Sequence, residues 1–234
     1  MRTMRFRYFS AGLCLLLSSM LAQAEPPANA ELESVLNRMD AAAAGFRTTE
    51  ADFVWDQYQK VVDETDTQKG KVFFRRINNE TQMIAEITHP DRKFVLFADG
   101  KVRVYQPRID QVTEYSAGKN KAEIESFLVL GFGGRGHDLG KSFDVSYEGA
   151  ELVEGVRTAR LALVPKSQKG RSMFSRILLW IDLERGVSLK QQLFEPSGDH
   201  RIARYVNIRM NQKLADDVFR LKTTSKTKVV APQA

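Results

Sequence analysis

The sequence predicts a mostly β (α+β) domain in which one amphipathic helix precedes a long series of antiparallel strands. Apolar residues between Leu32 and Phe46 recur at the spacing of one helix face, so this helix is expected to pack on a sheet. From Thr48 onward, short segments rich in Val, Ile, Phe, Tyr and Thr alternate with turn sequences, of which Asp99-Gly100 is the clearest hairpin. The short intervals between segments favour antiparallel pairing of consecutive strands, because parallel pairing needs long crossovers.

Twelve segments have the composition of strands, and the last of them would be an edge strand near the C-terminus. They span residues 50–62, 69–77, 82–88, 93–98, 101–106, 110–115, 142–148, 157–165, 174–182, 187–195, 201–210 and 217–222. Many are apolar on both faces; every residue from Ile177 to Ile181 is apolar, for example. Two architectures explain this pattern equally well: a curved sheet with a helix over one part and an apolar cavity over another, and a sandwich around a filled core.

The middle of the chain interrupts the strands. Residues 121–130 are predicted to form a short helix, and the glycine-rich stretch 131–136 is predicted to be a hinge, because so much glycine neither continues a helix nor packs as a strand. The following residues 136–142 end in Gly-Lys-Ser, as a phosphate-binding loop does. However, Arg135 occupies the position where that loop requires glycine, and a strand follows where a helix is required, so phosphate binding is not expected.

The first 24 residues have the composition of a secretory signal peptide. Three arginines precede an apolar run that is too short to cross a membrane, and Ala22-Gln23-Ala24 supplies a cleavage site. We therefore expect one mature domain, residues 25–234, in the periplasm. Cleavage would remove Cys14, the only cysteine, and with it any disulfide or thiol chemistry. It would also lower the formal net charge from +6 to +3, a balance that does not favour nucleic acid as a partner.

The ionisable side chains show none of the arrangements that catalysis or metal binding requires. His89, His137 and His200 lie in separate predicted turns or loops, without a second ligand at metal-binding spacing. The acidic pairs Asp63-Glu64 and Asp216-Asp217 lie in predicted turns, where carboxylates are solvated. We therefore expect a monomeric binding protein that uses no cofactor and is not an enzyme.

The order of the segments resembles that of the outer-membrane lipoprotein carrier protein (LolA) family over almost the whole mature chain. The order of the motifs, more than any single motif, carries this resemblance. The stretches concerned are Phe46–Phe53 after the first helix, Gly70–Arg76, Pro90–Pro107 with Gln111-Val112, the predicted helix 121–130, and Asn211–Leu221.

The resemblance implies an incomplete antiparallel β-barrel of about eleven strands, closed by helices that act as a lid over an apolar cavity. Members of the family carry acylated lipoproteins from an inner-membrane transporter to an outer-membrane acceptor, and the same role is expected here. Two alternatives stay open: a carrier of free lipid that works with an inner-membrane exporter, and a periplasmic sensor or structural module. The resemblance also implies that Arg76 ties the lid to the sheet when the cavity is empty. Arg75 is one residue away and would point to the opposite face.

The expected cavity wall consists of apolar residues from the predicted strands and the mid-chain helix. The candidates are Phe53, Trp55, Phe73, Ile84, Phe94, Leu96, Val102, Val104, Phe127, Leu128, Leu130, Leu161, Leu163, Ile177, Leu179 and Ile181, with Arg76 at the lid. For each of them, packing in an ordinary core is an equally good explanation. A cavity formed by this set should bind a diffusible apolar probe, whereas a filled sandwich should not.

Overall fold

The computed structural model describes residues 28–77, 80–116, 127 and 130–231. Within these ranges, helix α1 (Ala28–Gly45) precedes twelve strands, and short helices α2 (Leu139–Ser142) and α3 (Gln168–Met173) precede β7 and β9. The strands are β1 (Thr48–Gln59), β2 (Glu64–Ile77), β3 (Glu80–His89), β4 (Lys93–Ala98), β5 (Lys101–Gln106), β6 (Gln111–Ser116), β7 (Phe143–Val153), β8 (Val156–Pro165), β9 (Arg176–Asp182), β10 (Ser188–Phe194), β11 (His200–Met210) and β12 (Lys228–Val230).

All twelve strands belong to one sheet, in the order β12-β6-β5-β4-β3-β2-β1-β11-β10-β9-β8-β7. Every pair is antiparallel except β12 with β6, which is parallel. The two terminal strands of this order do not pair with each other, so the barrel is incomplete, as the sequence analysis predicted. Strand β1 lies in the middle of the order and joins the two halves of the sheet through β2 and β11.

The hairpin prediction is confirmed, and one strand prediction is wrong. Asp99 and Gly100 both have positive φ angles, 54° and 68°, and connect β4 directly to β5. The segment predicted as a last strand, 217–222, instead contains a 3₁₀ helix at Asp216–Phe219, and the last strand lies later, in β12. The predicted mid-chain helix 121–130 lies outside the described residues except for its positions 127 and 130.

Both faces of the sheet are apolar because different parts of the chain cover them. On the inner face, α1 buries Val35 and Met39 against Leu161 of β8 and Leu179 of β9. Register pairs extend this face across the sheet, since Leu161, Leu179, Gln191, Ala203 and Trp55 are successive partners from β8 to β1. One row of side chains therefore runs from the core beneath α1 to the half of the inner face that α1 leaves uncovered.

The C-terminal segment covers part of the outer face. Phe219 is only 5% exposed and packs with Ile84 of β3 and Leu96 of β4. The guanidinium carbon of Arg75 lies 4.2 Å from the centre of the Phe219 ring, and its Nη1 donates to Asp216 Oδ1 at 2.7 Å. The sheet thus has a second small core on its outer side.

Replacing Phe219 with alanine should lower the free energy of unfolding by about 3 kcal/mol, because the ring leaves a cavity in this outer core. Val229→Ala in the edge strand β12 is the matched control, since Val229 is 69% exposed and the change should be within about 0.5 kcal/mol. Denaturant unfolding of the two variants measures both values. Equal stability of the two variants would contradict the outer core.

Candidate ligand-binding cavity

A cavity of about 180 Å³ lies on the half of the inner face that α1 leaves uncovered. Its wall comes from β1, β2 and β3 on one side and from β10 and β11 on the other, with two further aromatic rings. The lining residues are Phe53, Trp55, Val72, Phe74, Met83, Ala85, Phe127, Phe174, Gln191, Leu193, Arg201, Ala203 and Tyr205. Ten of these thirteen are aliphatic or aromatic side chains other than tyrosine, so the wall suits an apolar ligand.

Phe132 is packed beside this cavity and is only 1% exposed. Its ring stacks on Phe74, with 4.7 Å between centroids, and meets the Tyr205 ring edge-on at 4.8 Å. Since Phe74 and Tyr205 both line the cavity, the Phe132 ring covers inner-face surface that would otherwise extend it. We call residues 130–133 the plug.

Glycines let the plug approach the rest of the protein closely. Gly131 and Gly133 have φ angles of 75° and 74°, a region that favours glycine. A Cβ at Gly131 would lie 2.3 Å from the Cβ of Ser188, and one at Gly133 would lie 2.5 Å from the Phe46 ring. Residues 130–133 are therefore buried, although they form turns and belong to no helix or strand, as the glycine content predicted. Hinge movement of the stretch stays a prediction.

Arg76 connects the plug to both β2 and α1. Its Nη1 donates to the carbonyl oxygen of Ala43 at 2.8 Å, its Nη2 donates to that of Gly133, and its guanidinium carbon lies 5.2 Å from the centre of the Phe46 ring. Arg75 points to the outer face, where it contacts Asp216. Arg76 thus connects β2 to α1 and to the plug, and its role in tying the predicted lid helix to the sheet stays a prediction.

Polar contacts with β10 hold the other end of the plug. Gln191 donates from Nε2 to the carbonyl oxygen of Leu130 at 2.5 Å, and the Ser188 amide donates to the carbonyl oxygen of Gly131 at 2.9 Å. The Tyr205 hydroxyl donates to Gln191 Oε1 at 3.4 Å, and burial raises the pKa of Tyr205 well above its ordinary value. The tyrosine is therefore a neutral hydrogen-bond donor here.

His137 fastens the residues that follow the plug to α1. Its Nδ1 lies 2.8 Å from Asp40 Oδ2 and its Nε2 lies 3.1 Å from Glu33 Oε2. The hydrogen bond with Asp40 has the largest effect on the pKa of His137 and the hydrogen bond with Glu33 the next largest, and both raise that pKa. Burial acts to raise the pKa of Asp40, but hydrogen bonds from His137 and Arg135 outweigh it and lower that pKa. Two carboxylates of α1 thus favour a protonated imidazole.

Only part of the predicted wall lines the cavity. Phe53, Trp55 and Phe127 do so, and Arg76 lies at the plug. Four predicted residues are on the outer face, in or against the outer core, and their assignment to the cavity is wrong: Phe73, Ile84, Phe94 and Leu96. Six belong to the buried cluster beneath α1 instead: Leu130, Leu161, Leu163, Ile177, Leu179 and Ile181. Val102 and Val104 are on the inner face of β5 but do not line the cavity. Leu128 lies outside the described residues.

Sequence reasoning missed several wall residues, although the signal for some was present. Val72, Phe74 and Arg76 alternate along β2 and must share a face, so an inward Arg76 implies an inward Phe74 and an outward Phe73. Gln191, Arg201 and Tyr205 were also missed, because no local pattern distinguishes them from surface residues. Among the described residues, no group of three or more His, Cys, Asp or Glu side chains could hold a metal ion.

Together, the unclosed barrel, the apolar cavity and the plug define an incomplete β-barrel with an apolar cavity on its inner face. The chain belongs to the outer membrane lipoprotein carrier protein LolA family, whose model matches residues 44–222. This family binds lipids or lipoproteins. No helix within the described ranges is long and apolar enough to cross a membrane.

Solved structures share the fold at low sequence identity. A conserved Thermus thermophilus protein is 11% identical with a TM-score of 0.56, and the match covers 86% of this chain and 99% of that one. MucB is 16% identical with a TM-score of 0.54, over 86% of this chain and 66% of that chain. The Pseudomonas aeruginosa MucA/MucB complex matches at 16% identity with a TM-score of 0.50, over 82% of this chain and 61% of that chain. This chain thus spans less than two thirds of the MucB chains. No curated protein matches the sequence.

The His137 contacts predict a measurable pH dependence. Because the pKa of His137 is raised in the folded state, these contacts stabilise the protein at pH values below the pKa of an unfolded histidine, and this stabilisation disappears as the pH rises through the folded-state pKa. Titration of the imidazole by NMR should give a pKa above that of an exposed histidine, and Asp40→Asn should lower it. An unchanged midpoint in Asp40→Asn would contradict the pairing.

Proposed function

We propose that this protein is a periplasmic carrier that binds the acyl chains of lipoproteins in its cavity and moves them towards the outer membrane. The observation that supports the proposal best is an apolar wall next to a buried phenylalanine, Phe132, on a segment tied by Arg76. Transfer by binding and release needs no chemical step, so the protein acts as a carrier and not as a catalyst. Family membership supports an inner-membrane transporter as donor and an outer-membrane acceptor as recipient.

The apolar wall supplies the affinity. Each methylene that moves from water into such a site contributes about 0.8 kcal/mol, so even a partly buried acyl chain binds favourably. A volume of about 180 Å³ is close to the roughly 150 Å³ of a cavity that accepts benzene, and below the roughly 300 Å³ at which most ligand pockets begin. A long acyl chain therefore requires additional space.

Movement of the plug provides that space. Phe132 lies against Phe74 and Tyr205, which belong to the cavity wall, so displacement of its ring extends the cavity along a continuous apolar surface. Gly131 and Gly133 flank the ring and allow the backbone rotations that such a movement needs. Arg76 then controls the equilibrium, since its bond to the carbonyl oxygen of Gly133 is made only while the plug is in place.

Arg76→Met should therefore shift the equilibrium towards the open form and tighten binding of the apolar dye N-phenyl-1-naphthylamine about tenfold. Arg75→Met is the matched control, because it removes a neighbouring arginine whose contacts are on the outer face, and it should leave dye affinity within twofold. Dye fluorescence measures both affinities. The same change in both variants would show that the effect is not specific to the plug.

The nature of the cargo is tested on mature protein purified from its own periplasm without harsh detergent, by native mass spectrometry with lipid extraction. Acylated polypeptides in the bound fraction are the expected result. Free lipids alone would favour the alternative of a lipid carrier that works with an exporter. A protein that carries neither and also fails to take up an apolar dye would contradict the carrier proposal and favour a sensor or structural module.

A further inference from the structure

Two buried hydrogen-bond donors in the cavity wall have no acceptor among the described residues. They are Nε1 of Trp55, on β1, and Nε of Arg201, on β11. Trp55 pairs with Ala203, and Gln57 pairs with Arg201, so Trp55 and Arg201 are diagonal neighbours on the inner face of adjacent antiparallel strands. The two donors therefore belong to one region of an otherwise apolar wall.

Such atoms are uncommon, because a buried donor without an acceptor loses its bond to water and gains nothing in return. The other tryptophan provides an internal comparison. Trp180, on the outer face, donates from Nε1 to Glu151 Oε2 at 2.7 Å. Trp55 differs in that its side chain lines the cavity, so a ligand that enters there and moves the adjacent side chains can supply the acceptor.

Glu195 balances the positive charge of Arg201, although the Nε of Arg201 donates no hydrogen bond. Its Nη2 lies 2.8 Å from Glu195 Oε1, but the alignment does not make a hydrogen bond, and that oxygen also has no donor. Glu195 would repel a strongly anionic group such as a phosphate. A neutral or weakly charged oxygen acceptor therefore suits the site better.

We propose that Trp55 and Arg201 form a polar subsite that binds the carbonyl oxygen of an acyl group while the attached chain lies along the apolar wall. This inference rests on the proposed function, because it concerns the same cavity and names the part of an acyl ligand that the cavity recognises. Phe174, whose ring centre is 6.0 Å from the Arg201 guanidinium carbon, and Leu193 provide apolar surface next to the subsite. The subsite selects acyl ligands over hydrocarbons of equal length.

The experiment compares three competitors of N-phenyl-1-naphthylamine that share a chain length: methyl laurate, lauric acid and dodecane. Arg201→Met and Trp55→Phe keep most of the apolar surface of each side chain and remove the donor. In each variant the affinity for methyl laurate should fall about tenfold more than the affinity for dodecane, because only the ester supplies an acceptor for the lost donor. Arg204→Met and Trp180→Phe are the matched controls, since both residues are on the outer face, and they should change no competitor by more than twofold.

The outcomes separate the subsite from the proposed function. A loss for both lauric acid and methyl laurate supports recognition of a carbonyl oxygen. A loss for lauric acid alone would overturn the subsite as proposed, because the donors would then recognise a charged carboxylate and not an acyl carbonyl oxygen. Equal effects on dodecane and the two acyl ligands, or no effect on any, would overturn the subsite and leave the cavity in place. If the original protein binds neither the dye nor any competitor, the proposed function fails together with the subsite.

Discussion

An unclosed sheet that is apolar on both faces has to be covered on both sides, and this requirement organises the whole molecule. Helix α1 covers the inner face over β8 and β9, and the C-terminal segment with Phe219 covers the outer face over β3 and β4. The plug covers part of the remaining inner face through Phe132. The cavity is the portion of that face which neither α1 nor the plug fills, so its size depends on where the plug lies.

Arg76 is the residue at which these parts meet. It extends from the inner face of β2 and donates to carbonyl groups of both α1 and the plug, while the adjacent Arg75 serves the C-terminal segment on the outer face. Donors that carry a positive charge make stronger bonds to carbonyl oxygens than neutral donors do. Two successive arginines on one strand therefore fasten three covering segments, two of them on the inner face of the sheet and one on its outer face.

Much of the fold could be predicted from the sequence, and less of the site. The strands and the Asp99-Gly100 hairpin depend on local composition and turn chemistry, which the sequence displays directly. The cavity wall depends on which face each residue occupies and on what covers it. Phe73 and Phe74 are identical residues, and only the alternation along β2 assigns one to the outer core and the other to the cavity. Leu179 faces inwards as predicted, but α1 covers it, and that contact joins distant parts of the chain.

In a carrier of the kind proposed, the plug also promotes release of the cargo, because it competes with the cargo for the cavity wall. Burial of a phenylalanine side chain contributes about 1.5–3 kcal/mol, which equals the contribution of roughly two to four methylenes at about 0.8 kcal/mol each. An acyl chain that displaces Phe132 therefore gains only the difference between its own burial and that of the ring. The ring acts as an internal competitor, since it lies on the wall surface that an extended chain would use. Net affinity is lower than the apolar area of the open cavity alone implies, and this favours transfer to an acceptor with a larger apolar site.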